Sequence, residues 1–566
     1  MTQDSSRPSA NSDQPSLSSL LSSPSSITVK AKPAPGPFNM GTRNQPLVGN
    51  SLSMPQNIIE AVDSVHEHLL PSDISPAQLY LTESGHLFHA GKICIVLVGL
   101  PARGKTHHAV SLTRYLRWLG VRAHAFHLGD YRRRYHKDKS TPDDYFKPNP
   151  SPETQKLRTK IVDMCLNDLN EFLLGPSSGQ VAIYDAVNPT AEIRRGLKRR
   201  FENLGINVLF VECISTNDEL VARNVRDVKL TSPDFQGYDY NDAVRSYLRR
   251  IELRIPDYET MAETELSFIK VINVCERFVL NRAPLGYLQN KIIFFLMNTH
   301  SKTGSVYFAR AGFSEKNAEL HYRNDEPLSP SGHEYAAKLR NCLTTHLKRH
   351  HEVDVASLHV SEDTKGSEPD TSISARLANA KKTYKTPGQD QWTTPTPTYS
   401  PVWEKKTSKP AKPQPISVWS SKRVRTLQTA SCIAEGNGVQ ATQRTLLVQM
   451  NPGAMDGLED AEIAERFPEE YAEHTLNPYH HRYPRAESYH DLAVRMEPLI
   501  MEIERTRGDL VIIAHESILR VLYGYLMACK VGDIPFLQFP KDEIIEVTPN
   551  AYYNVAKRIK IDGVEP

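Results

Sequence analysis

The residues best suited to chemistry in this chain form a glycine-rich loop, Gly99–Thr106, with the spacing G-x-x-x-x-G-K-T. An apolar run, Ile93–Val98, precedes the loop and a helical pattern, Ala109–Leu116, follows it, so a strand and a helix are predicted on either side. This context is typical of a loop whose backbone N–H groups and following helix N-terminus bind a polyphosphate. A chance match is the alternative, and the flanking elements disfavour it.

Each part of the loop has a predicted role in binding a magnesium nucleotide. Lys105 would reach the β- and γ-phosphates, and the Thr106 hydroxyl would ligate Mg²⁺. A phosphoryl-transfer site also needs a carboxylate at the end of a neighbouring strand, and Asp185 ends the apolar run that begins at Val181. The alternative for Asp185 is a helix cap. The residues predicted to bind the nucleotide in this loop are Gly99, Leu100, Pro101, Ala102, Arg103, Gly104, Lys105 and Thr106.

Arginines crowd the residues around this loop. They stand at Arg132–Arg134, at Arg158 and at Arg194–Arg195. Because guanidinium groups bind phosphate bidentately, a phosphorylated sugar as the acceptor is one interpretation. A solvated basic face is the other, and composition does not separate the two.

Composition and charge bear on the number of domains, the partners and the cellular compartment. The chain has 566 residues, of which 39% are hydrophobic and 39 are proline, which indicates several domains beside disordered segments. A net charge of +2 gives no reason to expect nucleic acid or a membrane as a partner. Seven widely spaced cysteines without a C-x-x-C favour a reducing compartment. With no apolar run near the roughly 20 residues that span a bilayer, we expect a soluble, cytoplasmic protein.

Alternating apolar runs and amphipathic stretches predict α/β domains with largely parallel sheets. We expect residues 1–84 to be disordered, since their Ser- and Pro-rich beginning cannot bury enough apolar area. A first α/β domain is predicted over 85–295 and a second over 296–566, with a disordered insertion at 352–414. Ser-Pro steps such as Ser23–Pro24 are candidate sites for regulatory kinases, with an unmodified tail as the alternative.

Several stretches of the chain resemble the 6-phosphofructo-2-kinase/fructose-2,6-bisphosphatase family. The matching stretches are Gly99–Thr106, Arg114–Val121, Gly129–Arg133, Asn224–Lys229, Arg425–Ala430, Arg482–Pro484 and His515. The resemblance implies a P-loop NTPase-like kinase domain followed by a histidine-phosphatase (phosphoglycerate mutase-like) domain. It also implies ATP and Mg²⁺ as cofactors and fructose 6-phosphate, or a related sugar phosphate, as the acceptor. The family often forms homodimers.

The resemblance implies roles for individual residues of the first domain. Asp185 would be the catalytic carboxylate that organises Mg²⁺ together with Thr106, and Lys105 and Lys229 would act beside it. Asn224 matches a position near the nucleotide. The residues implied to bind the sugar phosphate are Arg133, Arg158, Arg194 and Lys229.

The first domain departs from the family at four positions. Val187 stands where the family usually has Thr, Arg254 where it has Tyr, and Ser215 where it has Cys. Ile193 replaces an Arg, whose part the adjacent Arg194 would then take. Losing one hydrogen bond typically costs about 0.5–1.5 kcal/mol, so these changes would weaken binding of the sugar without abolishing transfer. The resemblance therefore supports ATP binding more strongly than it supports a particular sugar.

The second domain lacks its nucleophile. The family begins this domain with Arg-His-Gly, and here the sequence is Arg310-Ala311-Gly312. The methyl group of Ala311 has no lone pair and cannot form a phosphoenzyme. Glu516 replaces a Gln and Asp456 replaces a Glu. The other residues that match the family's phosphatase pocket are Arg310, Gly312, Arg425, Arg482 and His515.

Three hypotheses follow. The first is an ATP-dependent kinase that makes fructose 2,6-bisphosphate and carries a silent phosphatase-like domain. The second is a regulatory pseudoenzyme that binds ATP and phosphosugars without turnover. The third is a kinase of another sugar phosphate, because the acceptor residues are altered.

Overall fold

The structure is a computed structural model, and it describes most of the chain beyond residue 90 and three short segments before it. The described residues are 59–60, 63–67, 73–78, 91–136, 141–176, 179–215, 221, 224–225, 234, 240–255, 257–273, 276–284, 286–299, 304–314, 322, 325–359 and 416–565. Lys229 and most of the segments predicted to be disordered lie outside these residues.

The first half of the chain alternates strands and helices, as the apolar pattern predicts. After a short strand, β1 (Ile59–Glu60), its elements are β2 (Lys92–Val98), α1 (Lys105–Trp118), β3 (Ala123–His127), α2 (Leu128–Tyr135), α3 (Pro152–Leu174), β4 (Val181–Asp185), α4 (Ala191–Glu202), β5 (Ile206–Ile214), α5 (Tyr240–Arg254), β6 (Phe268–Ile272), β7 (Arg277–Asn281) and α6 (Tyr287–Asn298). The predicted strands before the glycine loop and before Asp185 are thus confirmed.

Six of these strands form one sheet in the order β3-β4-β2-β5-β6-β7, in which only β7 runs antiparallel to its neighbour. The central strand β2 is buried from Ile93 to Val98, as expected for a strand covered on both faces. Leu97 pairs with Asp185, which in turn pairs with His127. The carboxyl ends of three adjacent strands therefore meet at one edge, where open α/β sheets bind ligands.

The second half of the chain builds a mixed sheet. Its elements are β8 (Val306–Arg310), α7 (Pro330–His359), β9 (Ser417–Ser420), α8 (Val424–Gly436), β10 (Ala441–Gln443), α9 (Asp460–Arg466), α10 (Pro468–Leu476), α11 (Tyr489–Arg505), β11 (Leu510–Ala514), α12 (Glu516–Leu526), β12 (Glu543–Pro549) and β13 (Asn554–Lys560). The strand order is β1-β13-β12-β8-β11-β9-β10. Strands β8, β11, β9 and β10 are parallel, while β12, β13 and β1 pair antiparallel.

The expected disorder of residues 1–84 is wrong for the segments that the structure describes there. Strand β1 pairs with β13, and Val65 and Ala77 are buried. Their partners lie far away in the sequence, so local composition carries no trace of them. The predicted insertion also begins later than 352, because α7 continues to His359. Residues 360–414 lie outside the described residues.

Helix α1 lies at the junction of the two halves. Twelve of its fourteen residues are buried. Tyr115 stacks on Phe295 at 4.3 Å between ring centroids, and Trp118 meets the edge of Tyr525 from α12 at 5.5 Å. One apolar cluster therefore joins both sheets around the helix that follows the glycine loop. Among the described residues, no helix combines the length and the apolarity needed to cross a membrane.

Candidate active site and a second pocket

The glycine loop has positive φ angles, which favour glycine, at Gly99 and Gly104. Gly99 has φ 141°, and a Cβ there would lie 2.6 Å from the carbonyl oxygen of Cys213. Gly104 has φ 84° and immediately precedes α1. These two glycines let the chain turn tightly from β2 into α1. The N–H groups at the start of α1 then form the kind of site that binds phosphate.

Lys105 is held inside this loop. Its Nζ donates to the carbonyl oxygen of Leu100 at 2.8 Å, and only 8% of the residue is exposed. Burial lowers the pKa of Lys105, while the nearby Asp185 carboxylate opposes that shift. A buried ammonium of this kind acts strongly on a phosphate because little water screens it.

Asp185, at the end of β4, contacts side chains from α1 and from β3. Its Oδ2 accepts hydrogen bonds from Thr106 Oγ1 at 2.7 Å and from His127 Nδ1 at 2.8 Å. Burial alone would raise the pKa of Asp185, but the hydrogen bond and charge of His127, together with Lys105, lower it. An ionised carboxylate beside a hydroxyl is a donor set that suits Mg²⁺, so the residues present fit a magnesium ion.

His127 escaped the sequence analysis. The signal that could have identified it is its place at the end of β3, in register with Asp185 on β4. Tyr247 of α5 was missed as well. Its hydroxyl accepts a hydrogen bond from the Ala102 N–H at 3.1 Å, while Asn224 Nδ2 donates to the Ala102 carbonyl at 3.0 Å. The predicted Asn224 therefore supports the glycine loop.

Two of the predicted acceptor arginines, Arg133 and Arg158, each lie near a further arginine. Arg133 pairs with Asp234 at 2.7 Å, and Arg250 contacts the same carboxylate at 2.7 Å. Arg158 donates to the carbonyl of Lys147 at 2.7 Å. Burial and the charge of Arg158 lower the pKa of Arg254. The local excess of positive charge is the environment that a phosphate group requires.

Arg194 does not belong to the acceptor site, contrary to the sequence-based expectation. Its side chain is fully buried and pairs with Glu263 at 2.7 Å. Its NH1 also donates to three backbone carbonyls, those of Asn188, Pro189 and Glu259. Because the side chain has no exposed surface, it is closed to a sugar phosphate, and its contacts tie the loop after β4 to the residues before β6.

Replacing Arg194 with Met is expected to destabilise the fold by about 3–5 kcal/mol, because it leaves the buried Glu263 without its cation. Urea unfolding followed by circular dichroism measures this loss. Arg195→Met is the matched control, since Arg195 pairs with Glu265 at 2.7 Å but both side chains are about half exposed. Its effect should be much smaller. Unchanged stability of Arg194→Met with a raised KM for the sugar phosphate would contradict the structural role.

The second half contains a cavity of about 370 Å³ at the carboxyl ends of β8 and β11. Arg310, Ala311, Arg425 and His515 line it. Arg425 Nε donates to His515 Nε2 at 3.1 Å. Burial and three arginines hold the pKa of His515 well below its ordinary value, so the ring is neutral at pH 7. Ala311 is therefore one of the residues that line the cavity.

Glu516 and Asp456, the two carboxylates that differ from the family's residues, have different places relative to this cavity: Glu516 lines it and Asp456 does not. Glu516 contacts Arg310 at 3.2 Å and Arg520 at 2.7 Å, so it neutralises cations that would otherwise face an anion. Asp456 accepts a hydrogen bond from the N–H of Tyr322, a lining residue, at 2.5 Å. Gly312 packs so closely that a Cβ would lie 2.8 Å from Leu328.

Arg482 is not part of this cavity. Its side chain is 57% exposed and pairs with Asp491 at 2.5 Å, while its neighbours His481 and Tyr483 line the wall. The expected phosphate contact is therefore absent from the cavity lining as the structure describes it. His474, also in the wall, lies 5.4 Å from His481 between ring centroids. Sequence reasoning passed over both histidines.

A P-loop with its strand-end carboxylate, joined to a second α/β domain with an arginine-lined pocket, defines a two-domain protein of the phosphotransferase class. The 6-phosphofructo-2-kinase family model matches residues 81–303, and the model of the histidine phosphatase superfamily (branch 1) matches residues 406–562. The first match covers the whole first sheet, and the second covers β9 to β13 of the second sheet but not β8 or β1.

Relatives match across both domains. A Saccharomyces cerevisiae protein, provisionally named 6-phosphofructo-2-kinase/fructose-2,6-bisphosphatase YLR345W, is 40% identical over 503 residues, which are 88% of this chain and 89% of that protein. The human 6-phosphofructo-2-kinase/fructose-2,6-bisphosphatase 4 is 32% identical over 461 residues, 81% of this chain and 82% of its own. The chain belongs to the 6-phosphofructo-2-kinase/fructose-2,6-bisphosphatase family.

Proposed function

We propose that this protein transfers the γ-phosphoryl group of ATP to the 2-hydroxyl of fructose 6-phosphate. The contact of Thr106 with Asp185 beside the glycine loop is the observation that carries the proposal. It joins a hydroxyl, an ionised carboxylate and a loop of backbone donors at one strand edge. Phosphoryl transfer requires little of a protein beyond positioning and charge neutralisation, and this arrangement supplies both.

Individual side chains divide the work on the nucleotide. The loop N–H groups and the start of α1 bind the phosphates, and the Lys105 ammonium stabilises the charge that develops on them. Thr106 and Asp185 would hold Mg²⁺, which supplies further charge neutralisation when bound. Lys229, outside the described residues, is proposed to act beside them. Asn224 and Tyr247 keep the loop in the conformation that accepts phosphate.

The acceptor is proposed to bind through its 6-phosphate. Arg133 and Arg158, with Lys229, would hold that group, and the adjacent Arg254 adds positive charge. Val187 offers no hydroxyl to the sugar, and its carbonyl accepts the Gly99 N–H at 3.1 Å. We therefore expect weaker sugar binding than a threonine there would provide, with transfer retained.

The second domain is proposed to bind phosphorylated ligands without hydrolysing them. Ala311 occupies the place where the family carries its nucleophile, and removing a nucleophile from a catalytic unit can cost about a millionfold in turnover. Arg310 and Arg425 keep cationic groups in the cavity. The balance of the two domains then favours net synthesis of fructose 2,6-bisphosphate.

Incubating the purified full chain with ATP, Mg²⁺ and fructose 6-phosphate tests the proposal. We expect fructose 2,6-bisphosphate to accumulate, whereas an Asp185→Ala variant should give none. Equal product from both proteins would refute it. A panel of sugar phosphates tests the hypothesis of another acceptor. If one of them is phosphorylated faster than fructose 6-phosphate, that compound becomes the proposed substrate. ATP binding by calorimetry without turnover on any sugar would favour the pseudoenzyme.

A further inference from the structure

A series of contacts connects the second domain to the Asp185 carboxylate. Tyr552, in the turn between β12 and β13, accepts a hydrogen bond on its carbonyl oxygen from His66 Nε2 at 2.6 Å. The His66 ring meets the His127 ring edge-on at 5.5 Å between centroids. His127 Nδ1 then donates to Asp185 Oδ2 at 2.8 Å. His66 and His127 thus connect the backbone of Tyr552, in the second domain, to the proposed catalytic carboxylate.

Both domains fix the position of His66. The side chain of Asp63 caps the short turn Ser64–His66 by accepting the Val65 N–H at 3.0 Å. Its Oδ2 also accepts from Arg114 of α1 at 2.7 Å and from the Asn554 N–H of β13 at 2.8 Å. The Asp63 side chain has no exposed surface. This buried carboxylate therefore ties the turn to the kinase helix and to the second sheet together.

Packing rather than a second hydrogen bond orients the His127 ring. Its Nε2 is buried and has no hydrogen-bond partner within the part of the chain that the structure describes. Besides His66, the ring of Tyr552 approaches it at 6.2 Å between centroids. Residues outside the first sheet thus set the plane in which His127 presents its Nδ1–H.

We propose that His127 is a positioning residue for Asp185, and that the second domain fixes His127 through Tyr552 and His66. This inference rests on the proposed function, because it assigns a partner to the same carboxylate. Thr106 and His127 donate to the same oxygen, so together they hold the carboxylate against rotation. The silent domain would then be kept as part of the kinase site.

The rate of phosphoryl transfer depends on the position of the Asp185 carboxylate. With one donor removed, a single hydrogen bond from Thr106 holds Asp185, and its oxygens can exchange. A displacement of about 1 Å can lower the rate about a hundredfold. The effect should appear in kcat and in metal affinity more than in the KM for the sugar, because His127 is not among the residues proposed to bind the sugar.

The test at His127 uses two amides of different length. The Asn side-chain amide nitrogen overlies Nδ1 of histidine, whereas that of Gln overlies Nε2. We expect His127→Asn to keep kcat within about threefold of the native chain and His127→Gln to lower it about 10- to 100-fold. His333→Gln, at an exposed residue of α7, is the control for a surface histidine. Equal rates for the two His127 variants would overturn the proposal.

A metal titration keeps this test separate from the sugar assay. Mn²⁺ binding to the full chain with a non-hydrolysable ATP analogue reports on Asp185 even if fructose 6-phosphate is not the acceptor. We expect His127→Gln to weaken Mn²⁺ binding about tenfold and His127→Asn to leave it near the native value. Unchanged Mn²⁺ affinity in both variants would refute the positioning role. Failure of the sugar assay with a shifted Mn²⁺ affinity would refute only the proposed acceptor.

At His66 the expected effects of the Asn and Gln variants are the opposite of those at His127. Because His66 donates through Nε2, Gln should preserve the bond to Tyr552 and Asn should lose it. We expect His66→Asn to lower kcat about three- to tenfold and His66→Gln to stay near the native rate. Identical native-like rates would remove the second domain from the proposal.

Discussion

Replacing Lys105 with Met is expected to lower kcat/KM for sugar phosphorylation about 100- to 1000-fold, the range found when one donor to a developing charge is removed. Methionine nearly matches the length of lysine and tolerates burial, so the loop should keep its shape while losing the ammonium. Coupled detection of fructose 2,6-bisphosphate measures the rate, and calorimetry with ATP measures the loss of affinity.

Lys92→Met is the matched control for this substitution. Lys92 also donates its ammonium to a backbone carbonyl, that of Gly179, at 2.8 Å. It lies at the start of β2, away from the loop at its other end. If the carbonyl hydrogen bond were the whole role of Lys105, both variants would behave alike. Nucleotide affinity and product formation untouched by Lys105→Met would remove the proposed nucleotide site.

Replacing Ala311 with His is expected to create phosphatase activity that, in our proposal, the native chain lacks. The new imidazole would stand in the lining of a cavity of about 370 Å³ that Arg310 and Arg425 also line, and these arginines can bind the incoming phosphoryl group. We expect hydrolysis of fructose 2,6-bisphosphate at least about a hundredfold above the native background, since a nucleophile contributes far more than that within an intact unit. Acid-labile phosphohistidine, labelled from the 2-phosphate, measures the intermediate.

The restored activity should depend on charge in the pocket. Ala311→Gln fills the same space without a nucleophile and should stay inactive. Adding Glu516→Gln to Ala311→His should raise the rate, because Glu516 pairs with Arg310 at 3.2 Å and competes with phosphate for it. A phosphohistidine in the second domain of the native chain would contradict the assignment of a silent domain. An inactive double variant would show that Asp456 and its surroundings no longer support acid catalysis.

Local features of the chain were open to prediction from the sequence. The strand, glycine loop and helix around Lys105 follow from short-range patterns, because glycine spacing, apolar runs and helix periodicity act over a few residues. The same holds for Asp185, which ends a buried strand. Ala311 differs from the family's histidine at one position, and the absence of a nucleophilic side chain there can be inferred without knowing the fold.

Other properties of the site depended on contacts between distant residues. Arg194 and Arg195 are adjacent arginines on one helix, yet the first is buried against Glu263 and the second pairs at the surface. Arg482 matches a family motif, but its side chain is 57% exposed beside Asp491. Nothing in the local sequence distinguishes such arginines, because burial is decided by what packs against each face.

The chemistry of the glycine loop follows from the residue types and their spacing. The alanine at the position of the second nucleophile follows from the resemblance to the family, and neither inference needs the fold. Which donors hold Asp185, and that β1 and His66 belong to the folded part, only the tertiary structure decided. The reason is physical: these contacts join residues 58 to almost 500 positions apart, and their free energy arises only when both sheets pack around α1.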